Sequence, residues 1–369
     1  MSETNTPIRV LHVLGKIGLN NGISSVVMNY YNKLDHNKLT FDFMLNEDVE
    51  ADVRAYIESN GSKIYIMPEL KASNTFKYIK KLRDFYKTTD YKIIHGHVAN
   101  SAVFYLGLAW NIPHRIIHSH NTQLADIWWK HIRNWILTRF IKFVANKYIT
   151  CSKEAAEYLF GRNIKALILN NAIDIDKFIF NAEKREKIRK NLGVVDKVVI
   201  GHAGRFCVQK NHEFLLDVFY EAHEANPNLA LMLLGDGELR EKIEQKAKML
   251  GIDNSVLFLG TKDNVYDYMN AMDMFVLPSL FEGLAVVGIE AQASGLRMIS
   301  SSNVSRDIDI TKTVEFLSPE KTVWIQAILD NKCMNRLEIG MKVKQSGFNI
   351  ETQIYRLCEY YEELLSLKS

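Results

Sequence analysis

Short apolar runs alternate with stretches whose apolar positions recur at helical spacing along most of the chain. Runs at 8–14, 41–45, 63–67, 92–95 and 115–118 read as strands, and helical spacing at 23–34, 53–59, 75–86 and 102–110 places a helix in each gap. A strand at 148–150, a helix capped by Ser152 and closed by Gly161, and a strand at 167–169 follow. The pattern is a βαβ series, which predicts a parallel sheet covered by helices. After a polar break at 170–174 the alternation restarts, with strands at 198–202, 231–234, 256–259 and 274–277 and helices at 183–190, 214–222, 238–250 and 265–272. A helix of small apolar residues ends at Gly295, and an amphipathic helix occupies 351–367.

Composition sharpens this picture only in part. With 369 residues, 47% of them hydrophobic, the chain can bury two ordinary cores. A net charge of +3 is too small to predict a nucleic-acid partner. Cys151, Cys207, Cys333 and Cys358 stand far apart, as reduced thiols of a cytosolic protein do. Residues 1–7 lack the pattern of a secretion signal and the apolar run 103–110 is too short to span a bilayer, so a cytoplasmic location is expected.

Candidate chemistry gathers after the strand at 274–277. Glu282 falls in the following loop, and Glu290 lies about two helical turns further on, in a helix whose small apolar residues predict burial. Gly283 frees the backbone between them, and open amides at the helix start suit an anionic or hydroxyl-rich ligand. Arg205 and Lys210 flank a short loop before another helix, where they could clamp a diphosphate or remain surface charge. The first strand ends in a glycine-bearing loop from Gly15 to Gly22, able to approach a phosphate or sugar or simply to connect. Its spacing does not fit a nicotinamide-dinucleotide site.

Two H-x-H echoes, His95/His97 and His118/His120, end neighbouring strands. Such spacing puts both rings on one side of a strand, as in a metal site. No cysteine or acidic cluster accompanies them, so no metal is assigned, and His95 and His118 read as hydrogen-bonded structural residues. His120, followed by Asn121 where strand gives way to loop, is the better functional candidate. At 128–144, Trp128, Ile132, Trp135, Ile136, Phe140 and Phe143 form one stripe, with Lys130, Arg133, Arg139 and Lys142 elsewhere on the helix. That helix either packs its aromatic stripe on the sheet or lies on an anionic membrane.

In order along the chain, Gly204-Arg205 with Lys210, Gly235-Asp236-Gly237, Phe258-Leu259-Gly260, Pro278-Ser279 and Glu282 with Glu290 resemble the retaining glycosyltransferases of family 4. Tyr31, Phe41-Asp42-Phe43, His118-Ser119-His120-Asn121, Cys151-Ser152, Leu159-Phe160-Gly161 and the run Glu290 to Gly295 resemble the branch that builds bacterial capsule and exopolysaccharide. The resemblance spans nearly the whole chain. It implies the GT-B fold, an α/β architecture of two doubly wound Rossmann-like domains facing a central cleft. The implied division is an acceptor-side domain at 1–172, a nucleotide-sugar-binding domain at 173–350, and a terminal helix at 351–369 crossing back to the first domain.

The same resemblance implies residue roles. Arg205 and Lys210 would neutralise the donor diphosphate, a task that a metal performs in other transferase folds, so no metal cofactor is expected. Glu290 would accept hydrogen bonds from the donor ribose. Glu282, with the backbone at Gly283, Leu284 and Ala285, would hold the moving sugar. The loop from Gly15 to Gly22 would close over the phosphate and acceptor side, Asn121 would bind substrate, and His120 would sit against the donor sugar near the anomeric carbon, which makes His120, Arg205, Lys210 and Glu282 the expected catalytic residues. The implied enzyme is a hexosyl- or N-acetylhexosaminyltransferase with a UDP-linked sugar as donor and a lipid-linked or saccharide acceptor, peripheral on the inner face of the membrane. Ala285 and Arg297 stand where relatives often carry proline, which puts donor choice or loop rigidity in doubt. Two alternatives stay open, a non-hydrolysing nucleotide-sugar 2-epimerase of GT-B fold and a catalytically silent sugar-nucleotide-binding subunit.

Overall fold

The computed structural model describes residues 7–18, 22–120, 137–282, 284–330, 332 and 334–366. They form two compact units, one comprising Met1–Ala172 with Ile350–Ser369 and the other Ile173–Asn349.

Unit 1 is built on seven parallel strands: β1 (Ile8–Val13), β2 (Leu39–Leu45), β3 (Ile64–Ile66), β4 (Ile93–Gly96), β5 (His114–Ser119), β6 (Lys147–Thr150) and β7 (Leu167–Ile168). They lie in the order β3-β2-β1-β4-β5-β6-β7. The chain therefore reverses its direction of travel between β1 and β4, which makes the carboxyl ends of those strands the crevice of the sheet. All of β2 is buried, which explains its nearly unbroken apolar run. The exception, Asp42, is 0% exposed and held by the Arg9 guanidinium at 2.5 and 2.9 Å, Tyr91 Oη at 2.5 Å and the Lys63 amide at 2.6 Å. The Phe41-Asp42-Phe43 motif is thus a buried ionic anchor between two core rings. The terminal helix Ile350–Ser366 belongs to this unit and buries Ile354, Leu357, Tyr361 and Leu364.

Unit 2 repeats the plan with β8 (Val198–Ala203), β9 (Leu229–Leu234), β10 (Val256–Gly260), β11 (Met274–Leu277), β12 (Arg297–Ser301) and β13 (Val314–Leu317), in the order β10-β9-β8-β11-β12-β13. Its reversal falls between β8 and β11. One face is packed by Phe275, Leu277, Ile289 and Met298, the other by Leu216, Phe219, Ile243 and Trp324.

Strand β13 and the helices Lys321–Leu329 and Arg336–Lys344 add to the elements that the periodicity predicts. The second of these helices has Lys342 and Lys344 among its buried positions Ile339, Gly340 and Val343, a pattern too mixed for either period. Of the basic aromatic helix expected at 128–144, residues 128–136 lie outside the described residues. Ile141–Val144 is helical with Ile141 buried, but Phe140 and Phe143 are 52% and 66% exposed, so these two rings are not packed on the sheet. Arg115 stacks over the exposed Trp110 ring and donates to Val144 O, which ties that indole to the same surface.

Candidate active site

In unit 2 the sheet reversal places the loops that follow β8 and β11 side by side, and these loops carry the residues singled out by sequence. Leu280 N donates to Gln209 O at 2.8 Å, Gln209 Nε2 to Phe281 O at 3.0 Å, and Asn211 Nδ2 to Pro278 O at 3.3 Å. Asn211 adopts a left-handed conformation, φ +56°, and caps the helix His212–Ala225 from there. This sharp turn swings the preceding Lys210 toward the second loop. Lys210 Nζ then donates to Glu282 Oε1 at 2.5 Å, and Ser279 Oγ donates to the same oxygen at 3.0 Å. Both charged side chains are largely buried, which strengthens their attraction relative to a surface pair.

A third loop supports the first. Gly235, at φ +123°, lies so close to Gly204 that a Cβ there would stand 2.1 Å from Gly204 O. Phe206 N donates to Asp236 O at 3.0 Å, and a Cβ on Gly237 would meet the Phe206 backbone at 2.6 Å. The Gly235-Asp236-Gly237 motif therefore exists to let two backbones touch beneath Arg205 and Lys210.

Glu290 projects from the helix Val286–Ala293, and burial pushes its carboxyl up to about 7, against the opposing pull of the Lys210 charge. Ala285 precedes that helix, 4% exposed, and its carbonyl accepts from Gly288 N at 2.9 Å. Leu284 is half-buried against the same core. Gly283 lies outside the described residues. Arg205 is not drawn into the Lys210–Glu282 pair: its side chain is 60% exposed and reaches Glu238 at 3.0 Å. Arg297 starts β12, at the end of the sheet away from these loops. It is 2% exposed, with both Glu315 carboxylate oxygens at 3.0 Å and Ala327 O at 2.8 Å. The charge at this position is thus neutralised inside the fold, and it does not touch the Lys210 loop.

Unit 1 gathers its candidates differently. Gly15 O accepts from Asn46 N and Gly18 N donates to Ser24 Oγ, while Gly22 opens the helix Gly22–Tyr31. Leu19, Asn20, Asn21 and Asn121 lie outside the described residues. His120 is buried, 6% exposed, with Nε2 at 2.8 Å from His97 Nδ1 and Nδ1 at 3.1 Å from Asn171 Oδ1. Burial lowers it to about 4, so it is a neutral imidazole whose two nitrogens are both engaged within the unit. His95 and His118 are hydrogen-bonded to each other at 3.2 Å. The surprise is how far this set extends: His12 from β1 lies 3.0 Å from His97, and Tyr361 from the terminal helix lies 2.5 Å from His95 Nδ1 and 3.3 Å from His12 Nε2. A lone histidine in the apolar run of β1 was the one available sequence signal for His12. Tyr361 had only its place on an apolar stripe.

Comparison with known proteins bears on both units. Residues 20–177 match the family described as Glycosyltransferase Family 4, and residues 197–330 match Glycosyl transferases group 1. The chain is 32% identical to the putative glycosyltransferase EpsF of Bacillus subtilis (strain 168), over 96% of each chain. It is 23% identical, over 99% of each, to the UDP-Gal:alpha-D-GlcNAc-diphosphoundecaprenol alpha-1,3-galactosyltransferase of Escherichia coli. Anabaena Alr3699/HepE, solved in complex with UDP-glucose, matches 96% of this chain and 99% of its own, at 16% identity and a TM-score of 0.78. That likeness shows the fold, GT-B. The chain belongs to the family 4 glycosyltransferases. It is an enzyme of sugar transfer. Among the described residues no helix is long and apolar enough to cross a membrane.

Proposed function

We propose that this protein transfers a sugar, with retention of configuration, from a UDP-sugar to a lipid-linked saccharide during synthesis of a bacterial surface polysaccharide. The observation that carries the donor side is the Lys210–Glu282 pair at the sheet reversal of unit 2, with Glu290 in the next helix. A nucleoside diphosphate brings negative charge, and Lys210 can exchange part of its contact with Glu282 for the diphosphate while Arg205 swings from Glu238. These two cations then stabilise the leaving group without a metal ion. Glu282 takes hydroxyls of the moving sugar, aided by backbone at Gly283, Leu284 and Ala285, and Glu290 takes the ribose. Unit 1 serves the acceptor through the segment from Gly15 to Gly22 and through His120, with Asn121 next in sequence. Because both ring nitrogens of His120 are engaged, its contribution there is through its backbone and its place at the strand end.

The lipid-linked acceptor is inferred from the acceptor that the Escherichia coli relative's name states. Exposed Phe140 and Phe143, with Lys142 over the Phe143 ring, support a peripheral contact with the anionic inner face of the cytoplasmic membrane. A silent subunit is disfavoured, since the cations and carboxylates of the donor side are all retained. The test is a thermal-shift screen of UDP-, GDP-, ADP- and dTDP-sugars, followed by turnover with the donor that stabilises the protein most. Stabilisation by no nucleotide sugar would sink this reading, and conversion of the donor without an acceptor would assign a 2-epimerase.

A further inference from the structure

Five imidazoles, His12, His95, His97, His118 and His120, converge at the carboxyl ends of β1, β4 and β5, and all are at least 94% buried by their exposures of 1, 1, 5, 3 and 6%. The transfer proposed above assigns no role to their ring nitrogens. Burial keeps all five neutral, which is the protonation state that a transition metal requires of histidine. One ring nitrogen from each of His97, His118 and His120 lies within 4.8 Å of one from each of the others.

We propose that His97, His118 and His120 form a binding site for a first-row transition metal ion of the zinc class. The argument rests on where the other nitrogen of each ring goes. His97 Nε2 is 3.0 Å from His12 Nδ1, His118 Nδ1 is 3.2 Å from His95 Nε2, and His120 Nδ1 is 3.1 Å from Asn171 Oδ1. Each ligand can therefore donate its outer N–H to a fixed acceptor, the arrangement that sets the tautomer of metal-bound histidines. His12 and His95 pass their remaining N–H groups to Tyr361 Oη, which accepts both. Under this allocation His97 Nδ1 and His120 Nε2 give up the hydrogen bond they share at 2.8 Å, and with His118 Nε2 they are the three ring nitrogens left to ligate. His118 Nε2 is buried with no hydrogen-bond partner among the described residues, which is what an ion ligand looks like in its absence.

The second close triad, His12, His95 and His97, does not qualify. Tyr361 already takes the inner nitrogens of His12 and His95, so an ion there would have to displace it. A cavity of about 10 Å³, too small for a substrate, is lined by the five imidazoles together with apolar side chains such as Val26, Phe41 and Leu357. With zinc–nitrogen bonds of about 2.0–2.1 Å, ligand nitrogens in a tetrahedral site stand roughly 3.3 Å apart. His97 Nδ1 and His120 Nε2, now 2.8 Å apart, need to open by about half an ångström, and the stacked His118 and His120 rings need to tilt. The sequence assigns no metal because no cysteine or acidic cluster accompanies the H-x-H pairs. The parallel register lays β4 beside β5 and so brings the two pairs together.

The competing arrangement needs no ion. If every ring carries its proton on Nδ1, His118, His95, Tyr361, His12, His97, His120 and Asn171 form a chain of hydrogen bonds running one way, with only His118 Nε2 unsatisfied. Metal titration separates the two, and it does not depend on the transfer reaction. The full-length protein is stripped with a chelator and titrated with Zn²⁺ and with Co²⁺, whose visible absorption reports tetrahedral nitrogen ligation. We expect one ion per chain, loss of binding in His118→Gln, and wild-type binding in His202→Gln, which alters a buried histidine of unit 2. Asn171→Ala, which keeps all three ligands and tests the site even if His118→Gln does not fold, should bind about 10- to 100-fold more weakly. A folded wild-type protein that takes up no ion, or an ion held equally by wild type, His118→Gln and Asn171→Ala, overturns the proposal and leaves the hydrogen-bonded chain.

Discussion

Lys210 and Glu282, 72 positions apart in the chain, meet at 2.5 Å because β8 and β11 are neighbours where the sheet of unit 2 reverses. Removing either partner strands a partly buried charge as well as a donor contact. Lys210→Ala and Glu282→Ala should each lower kcat/KM by at least about tenfold, the equivalent of one lost charged hydrogen bond. The double variant should lose less than the product of the two single effects, since the residues are in contact. Near-normal turnover in either single variant would remove the pair from the donor site.

Gly235→Ala places a methyl group 2.1 Å from Gly204 O at a backbone angle that alanine rarely adopts. The loop carrying Arg205 and Lys210 must then shift. A loss of stability on the order of 3 kcal/mol, with a raised KM for the donor, is expected from denaturant unfolding and initial rates. Unchanged values of both would mean that the close contact of the two backbones is not needed.

Glu290 is raised from an ordinary 4.5 to about 7, so between those values the folded state holds a proton that the unfolded state has released. Its contribution to stability is therefore full below pH 4.5, falls as pH rises through that window, and levels off above 7. Glu290→Gln should gain on wild type as pH rises from 5 to 8, by at most about 3 kcal/mol. The difference between the two proteins, followed by urea midpoints across that range, isolates this carboxyl from the histidines. A difference that stays flat with pH would show that Glu290 titrates normally.

Arg297→Ala should separate stability from specificity. It leaves Glu315 without its partner and Ala327 O without its donor, at roughly 1–3 kcal/mol, because Glu315 is still partly in water. The KM for the donor should not move. A changed donor preference would restore the link between this position and the sugar.

Much of the architecture was legible because a strand buried on both faces must be apolar throughout, and a helix over a sheet must repeat its apolar side every three or four residues. Those rules located β11 at 274–277, the same bounds that the structure shows. They failed where burial is ionic. Arg297, singled out by sequence only as a departure from the family pattern, is a core residue neutralised by Glu315. Of the two readings open for the 128–144 stripe, packing on the sheet is not met at Phe140 and Phe143, which are exposed.

By itself, then, the chain determined the two α/β halves, their glycine-bearing loops and the residue types of the donor side, since these depend on local period and on motifs a few residues long. Which residues meet was decided by strand order. The reversal between β8 and β11 joins Lys210 to Glu282, the reversal between β1 and β4 brings His12 beside His95 and His97, and the terminal helix closes that group with Tyr361. Strand order depends on contacts between residues tens to hundreds of positions apart, and one sequence carries no local mark of them.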